Sequence, residues 1–215
     1  MAAPRQLQRT STVDALVDAL RREILDGELP AGAWLREREL CESYRVARHS
    51  LRAALRALAA EGLVRIEPHR GARVTELSAD DVRWLYELRA ALELEAAHLA
   101  LERNEGKLPV EVHDALERLQ ETCTTTSWSA ISDAHADLHG AIVTAARSPR
   151  IAAAHAALNG EMRLFLLALK PLIPPQQLAD DHARLIAGLE RDGPEVLREH
   201  LRAAAETLTG DRPGG

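Results

Sequence analysis

The stretch GELPAGAWLRERELCESYRVARHSLRAALRALAAEGLVRIEPHRGARV, residues 27–74, decides the fold. It reads as a short helix around Glu37–Tyr44, a break near Arg45–Val46, and a second helix from about Ser50 to Glu61 closed by Gly62. Two short strands follow, Leu63–Glu67 and Ala72–Glu76, with Pro68–Gly71 as the basic tip between them. Helix, tight turn, helix and hairpin in that order make a winged helix-turn-helix, the arrangement that lays one helix in the major groove of DNA. Upstream, Val13, Leu16, Val17, Leu20, Ile24 and Leu25 recur at helical spacing behind a capping hydroxyl at Thr10, Ser11 or Thr12, which adds a first helix. Asp26–Gly27 ends it, and Pro30 and Gly32 shape the connection.

Beyond residue 77 the pattern changes. Ser78 caps a long helix to about Glu105, with Asp80 and Asp81 suited to its positive end. Its apolar stripe is Val82, Leu85, Leu88, Leu92, Ala96 and Leu99. Further helices are predicted over Val110–Thr122, Ala130–Ala146, Pro149–Leu169, Pro175–Arg191 and Pro194–Leu208, with Thr124–Ser129 as a loop. The domain layout is therefore a disordered lead-in at 1–9, a winged helix-turn-helix at 10–76, an all-α helical bundle at 77–209, and a tail at 210–215. The fold class is mainly α.

Composition supports this division. The 215 residues carry a formal net charge of -6, unpromising for a DNA binder until the chain is split. Residues 1–76 hold 13 Lys/Arg against 11 Asp/Glu, whereas residues 77–215 hold 14 against 22. A small basic surplus suffices when clustered, because binding follows local potential. Two cysteines, Cys41 and Cys123, give no disulfide framework, and the start lacks an apolar signal core. A soluble cytoplasmic protein with no membrane partner is expected. Cys41 reads as a small core residue and Trp34 as packing at the helix-turn junction.

In the helix after the turn, Val46, Leu51, Leu55 and Leu58 form the docking face. Arg48, His49, Ser50 and Arg52 then lie at its solvent-facing N-terminal end, where groove-reading side chains sit. Arginine pairs bidentately with guanine, and Ser50 and His49 reach phosphates or base edges. The region resembles the GntR family of bacterial transcription regulators. The matching pieces are Gly27…Gly32, Leu35-Arg36-Glu37-Arg38-Glu39-Leu40, Val46 through Leu55, Leu58…Glu61-Gly62-Leu63-Val64, and Arg70-Gly71…Val74. The resemblance implies a DNA contact from Arg38, and a wing tip of His69, Arg70 and Gly71 near the minor groove or backbone. The sequence departs from the family pattern at Ala47, where a small hydroxyl residue is usual, and at Ala53, often glutamate.

His135 and His139 share a helix face at a spacing of four, and His182 and His200 sit on later helices. Convergence of these four would make a nitrogen-rich metal site suited to Zn²⁺, and also to Ni²⁺ or another transition metal. Such histidines are otherwise surface or satisfied core residues. The C-terminal half resembles the FCD effector domain of the FadR branch of GntR regulators, through Leu85-Tyr86-Glu87-Leu88-Arg89…Leu92-Glu93, Asp137-Leu138-His139…Ile142, Asp181-His182…Ile186…Leu189 and Glu199-His200-Leu201. That resemblance implies a divalent metal on His139, His182 and His200, with His135 standing where an aspartate ligand is usual. It also implies a small organic-acid, sugar-acid or amino-acid effector, which Arg89 would grip bidentately unless it is a structural partner of Glu93 four residues on. Arg163 is a further pocket candidate.

The expected function is a ligand-responsive transcription regulator and repressor. It would act as a homodimer on a palindromic double-stranded DNA operator and sense a carboxylic acid through a metal-containing helical domain. The competing class is a metal-dependent hydrolase or isomerase fused to a DNA-binding module. No HExxH pair, nucleophile elbow or phosphate-cradling glycine loop supports it, so no catalytic residue is assigned.

Overall fold

The computed structural model describes residues 12–124 and 127–210. The lead-in, the capping hydroxyls Thr10 and Ser11, the tail beyond Gly210 and residues 125–126 of the predicted loop lie outside the described residues. The chain forms two compact units that divide between Thr75 and Glu76.

The first unit contains α1 (Thr12–Asp26), β1 (Trp34–Leu35), α2 (Glu37–Tyr44), α3 (Arg48–Ala60), β2 (Val64–Glu67) and β3 (Gly71–Val74). Leu16, Val17, Leu20, Ile24 and Leu25 of α1 bury against Leu51, Ala54, Leu55 and Leu58 of α3. Arg21 clamps the pair by a bidentate bond to Glu61, at 3.0 and 2.7 Å. Between α2 and α3 the chain reverses through Arg45 in the left-handed region, with the Val46 N–H closing onto the Cys41 carbonyl. α3 begins two residues before its predicted start, at Arg48. Its N-cap is Ala47, which has no side-chain acceptor for the first N–H groups.

The wing differs from the sequence expectation in one respect. It is a three-stranded antiparallel sheet in the order β1-β3-β2, because Trp34 and Leu35 pair with Arg73 and Ala72. A two-residue strand offers no periodicity to detect, and its partner is 37 or more positions away. Cys41 is half-buried rather than core, and Trp34 is 40% exposed on the edge strand. Gly71 opens β3 at φ +106, a conformation that a side chain strains, while His69 supplies the left-handed turn residue of the tip.

The second unit contains α4 (Ala79–Arg103), α5 (Val110–Thr122), α6 (Trp128–Ala145), α7 (Pro149–Ala156), α8 (Asn159–Leu169), α9 (Pro175–Asp192) and α10 (Glu195–Thr209). Ser78 starts α4 with a capping box: its Oγ accepts the Asp81 N–H, and the Asp81 carboxylate accepts the Ser78 N–H at 2.9 Å. Ser78→Ala should lower stability by about 1 kcal/mol. Urea unfolding of the intact protein checks this, and an unchanged midpoint would show the cap to be idle.

Two predicted boundaries are corrected. The span Pro149–Leu169 is two helices, broken at Ala157–Leu158, just before the Asn159–Gly160 pair that opens the second of them. Trp128 and Ser129 belong to α6, not to a loop, because Ser127 caps the helix by accepting the Ala130 N–H. α4 is the central element and packs against α6, α7 and α10. α9 and α10 approach closely at Gly188, where an added Cβ would sit 2.8 Å from Val196. These packings place α4, α6, α9 and α10 around one interior.

Candidate metal centre and DNA-reading surface

In the second unit the structure brings together the histidines singled out in the sequence. His135, His139 and His182 place ligand nitrogens within 4.8 Å of one another, all on buried side chains. His200 joins from α10, its ring 4.7 Å from that of His182 and 5.9 Å from that of His139. Burial comes first in pushing all four imidazoles toward the neutral form, His182 to about 3.

Neutral rings make the hydrogen bonds decisive. The Nδ1 of His182 lies 2.7 Å from the Leu178 carbonyl, a group that only accepts, so His182 carries its proton there. The Nδ1 of His139 lies 2.7 Å from a Glu93 carboxylate oxygen. Burial pushes that carboxyl up, but Arg89 and then His139 outweigh it and hold it well below the usual carboxylate range. Glu93 is therefore an acceptor, and His139 also carries its proton on Nδ1. Both Nε2 atoms are then bare lone pairs, facing each other at 3.3 Å. Two lone pairs at that distance repel unless a cation sits between them. Tetrahedral Zn²⁺ with bonds of about 2.0–2.1 Å sets neighbouring ligand nitrogens about 3.3–3.4 Å apart. The residues fit a transition metal.

Sequence reasoning placed Glu93 only as a partner for Arg89 and gave His155 no role. The structure puts both under the cluster. Glu93 is wholly buried, accepts from Arg89 Nε at 2.7 Å and from His139, and lies 3.2 Å from His155 Nε2. Its carboxylate orients the His139 ring, the part a carboxylate plays behind a metal-binding histidine. Its sequence signal was the Arg89–Glu93 spacing. His155 gave none, because α7 is short and the contact spans 62 positions.

Of the two readings of Arg89, the structure has the ion pair with Glu93, at 2.7 Å and with Arg89 2% exposed. The guanidinium also lies 5.2 Å from the centre of the Tyr86 ring, and its Nη2 is buried. Arg89 lines a cavity of about 520 Å³ with His135, His182 and His200. Arg163 does not line this cavity and instead pairs with Asp133 at 2.8 Å.

In the first unit, Arg38, Arg48, His49 and Arg52 are exposed on α2 and α3, with Ser50 half-buried. Arg52 is held bidentately by Glu37, Nε to Oε1 at 2.9 Å and Nη2 to Oε2 at 3.0 Å, which aims a guanidinium that would otherwise sample many rotamers. His69, Arg70 and Gly71 are exposed at the wing tip. Arg70 and Gly71 share a recess of about 350 Å³ with Trp34, Arg36 and Glu37, so the wing borders the same surface as the start of α2.

Comparison with known proteins accords with both halves. The family of bacterial regulatory proteins called gntR matches residues 12–74, and the FCD domain matches residues 84–207. A Paenarthrobacter nicotinovorans protein named "Probable D-xylose utilization operon transcriptional repressor" is 32% identical over 199 residues, covering 93% of this chain and 87% of that protein. The uncharacterized HTH-type transcriptional regulator BphR of Paraburkholderia xenovorans (strain LB400) is 28% identical over 209 residues, covering 92% and 85%. A solved transcriptional regulator, GntR from Rhodococcus sp. RHA1, has the same fold, with a TM-score of 0.73, 24% identity, and coverage of 93% of this chain and 98% of that one.

Proposed function

The chain belongs to the gntR family of bacterial regulatory proteins, with an FCD domain, and is a DNA-binding transcription regulator; from that premise we propose that it is a repressor of the FadR branch, released or engaged by a small carboxylic acid. The observation that carries the reading is the pair of facing Nε2 lone pairs on His139 and His182, next to a cavity that His182 and Arg89 both line. A divalent metal, Zn²⁺ or another transition ion, would be held by His139, His182 and His200 with His135 as the fourth ligand. When bound, it supplies Lewis acidity toward a carboxylate.

The protein's own groups do the rest. Glu93 fixes the His139 ring, Leu178 fixes the His182 ring, and Arg89 lines the cavity that receives the acid. The ligand is bound and returned unchanged, as befits a transcription regulator. Differential binding of the acid to the DNA-competent and incompetent states sets the size of the response.

At the DNA, Arg48 and Arg52 read base edges, while Arg38, His49 and Ser50 position α3 on the backbone. His69, Arg70 and Gly71 bring the wing to the adjacent groove. A homodimer would place two copies on half-sites about one helical turn apart. The bare N-terminus of α3, left by Ala47, offers its first N–H groups to a phosphate without help from a hydroxyl.

The test is operator selection from genomic fragments, followed by gel retardation with zinc present or chelated and carboxylic acids added. An acid that changes retardation only in the zinc-loaded protein is the expected result. Selection of no sequence, or an acid effect indifferent to metal, would overturn the reading. Within the same assay, Glu37→Gln should release Arg52 and remove a negative charge from the DNA face. Binding to random duplex should strengthen at low salt while operator discrimination falls. Equal discrimination by the variant would show that Glu37 does not aim Arg52.

A further inference from the structure

The cavity beside the histidines has a mixed lining. Arg89, His135 and His182 contribute nitrogen-bearing side chains to it. Its walls include Phe165, Leu166, Leu169, Leu178, Leu185 and Leu201, each no more than 5% exposed. Polar side chains return at the solvent edge, where Gln177, Arg184 and Glu199 are exposed. Four imidazoles bring no anion, Glu93 is already shared among Arg89, His139 and His155, and the lining carboxylate of Asp181 is paired with Arg184. A carboxylate on the ligand balances a bound cation.

We infer that the ligand of this cavity is a monocarboxylate with an apolar chain or ring, and not a polyhydroxy acid. Its carboxylate sits at the Arg89–histidine end and its body runs along the leucine and phenylalanine walls. Hydroxyls placed against Leu166 or Leu185 would leave water and gain no partner, and a second carboxylate there would fare worse. The volume of about 520 Å³ is ample for a ligand of this kind. The inference rests on the acid-sensing reading above and narrows its ligand class.

Titration calorimetry of the full-length, zinc-loaded protein with butyrate, hexanoate, octanoate, octanamide and gluconate tests it. Affinity should climb roughly fourfold per added methylene, the equivalent of about 0.8 kcal/mol. Octanamide should bind far more weakly than octanoate. Gluconate, with as many carbons as hexanoate, should be weaker than it by roughly tenfold or more. A flat chain-length series, or gluconate matching hexanoate, overturns the inference. Gluconate matching hexanoate on the zinc-loaded protein, with neither bound after zinc is chelated, would overturn the apolar assignment and leave metal-assisted acid sensing intact. No acid bound with zinc or without it would remove both.

Discussion

Alanine at Arg48 or Arg52 is expected to abolish operator selectivity while leaving the fold in place. Arg52 is 58% exposed and Arg48 is exposed too, so neither truncation opens the core formed by Leu51, Ala54, Leu55 and Leu58. A lost bidentate contact to guanine costs about 1–3 kcal/mol of discrimination per base pair, and a two-fold dimer loses it twice. The two variants should not be equal. Arg52→Ala also strips Glu37 of its partner and leaves a carboxylate facing the phosphate backbone, so its loss of affinity should be the larger. Gel retardation with operator and random duplex, beside thermal melting, separates the effects. Unchanged sequence preference in both variants would end the assignment of α3 as the reading helix.

The second large effect concerns metal. His139→Ala removes a ligand nitrogen and also withdraws a hydrogen bond from wholly buried Glu93. Metal content measured after gel filtration should fall to background. The second unit should also lose stability, by about 1.5–3 kcal/mol, the range for a hydrogen bond to a charged group, since Glu93 keeps Arg89 as its partner. Amide exchange in Thr12–Asp26 and Arg48–Ala60 should stay as in the parent, which distinguishes loss of the site from global unfolding. Glu93→Gln is the gentler probe. It keeps the volume, weakens the orientation of His139, and should lower zinc affinity about 10–100-fold in chelator competition. Full metal retention in His139→Ala would remove the proposed site.

The two units were unequally legible. In residues 27–74 nearly every decision is local: helical spacing in α3, the glycine after its C-cap, and Gly71 at the wing turn. Even there, β1 escaped notice, because Trp34–Leu35 is a strand only by virtue of pairing with β3. In the second unit the helix count was missed by one. The break at Ala157–Leu158 ends an alanine-rich run whose propensities favour continuation, and its local signal is the Asn159–Gly160 pair that follows. Arg89 shows a different limit. Its spacing from Glu93 permitted either an ion pair or an open donor, and the structure has the ion pair, with Nε on the carboxylate.

By itself, the sequence determined the winged helix-turn-helix and four histidines on three helices. These features depend on contiguous side chains and on spacing along single elements, which the chain carries in its order. Only the tertiary structure decided that Glu93 would sit beneath the cluster, bonded to His139 46 positions away and lying beside His155 62 positions away. It alone set two Nε2 lone pairs 3.3 Å apart, because that distance follows from how α6 and α9 pack and from protons held on the far nitrogens by Glu93 and Leu178. Spacing can place a histidine on a face; the direction of its lone pair is set by what the rest of the fold puts behind it.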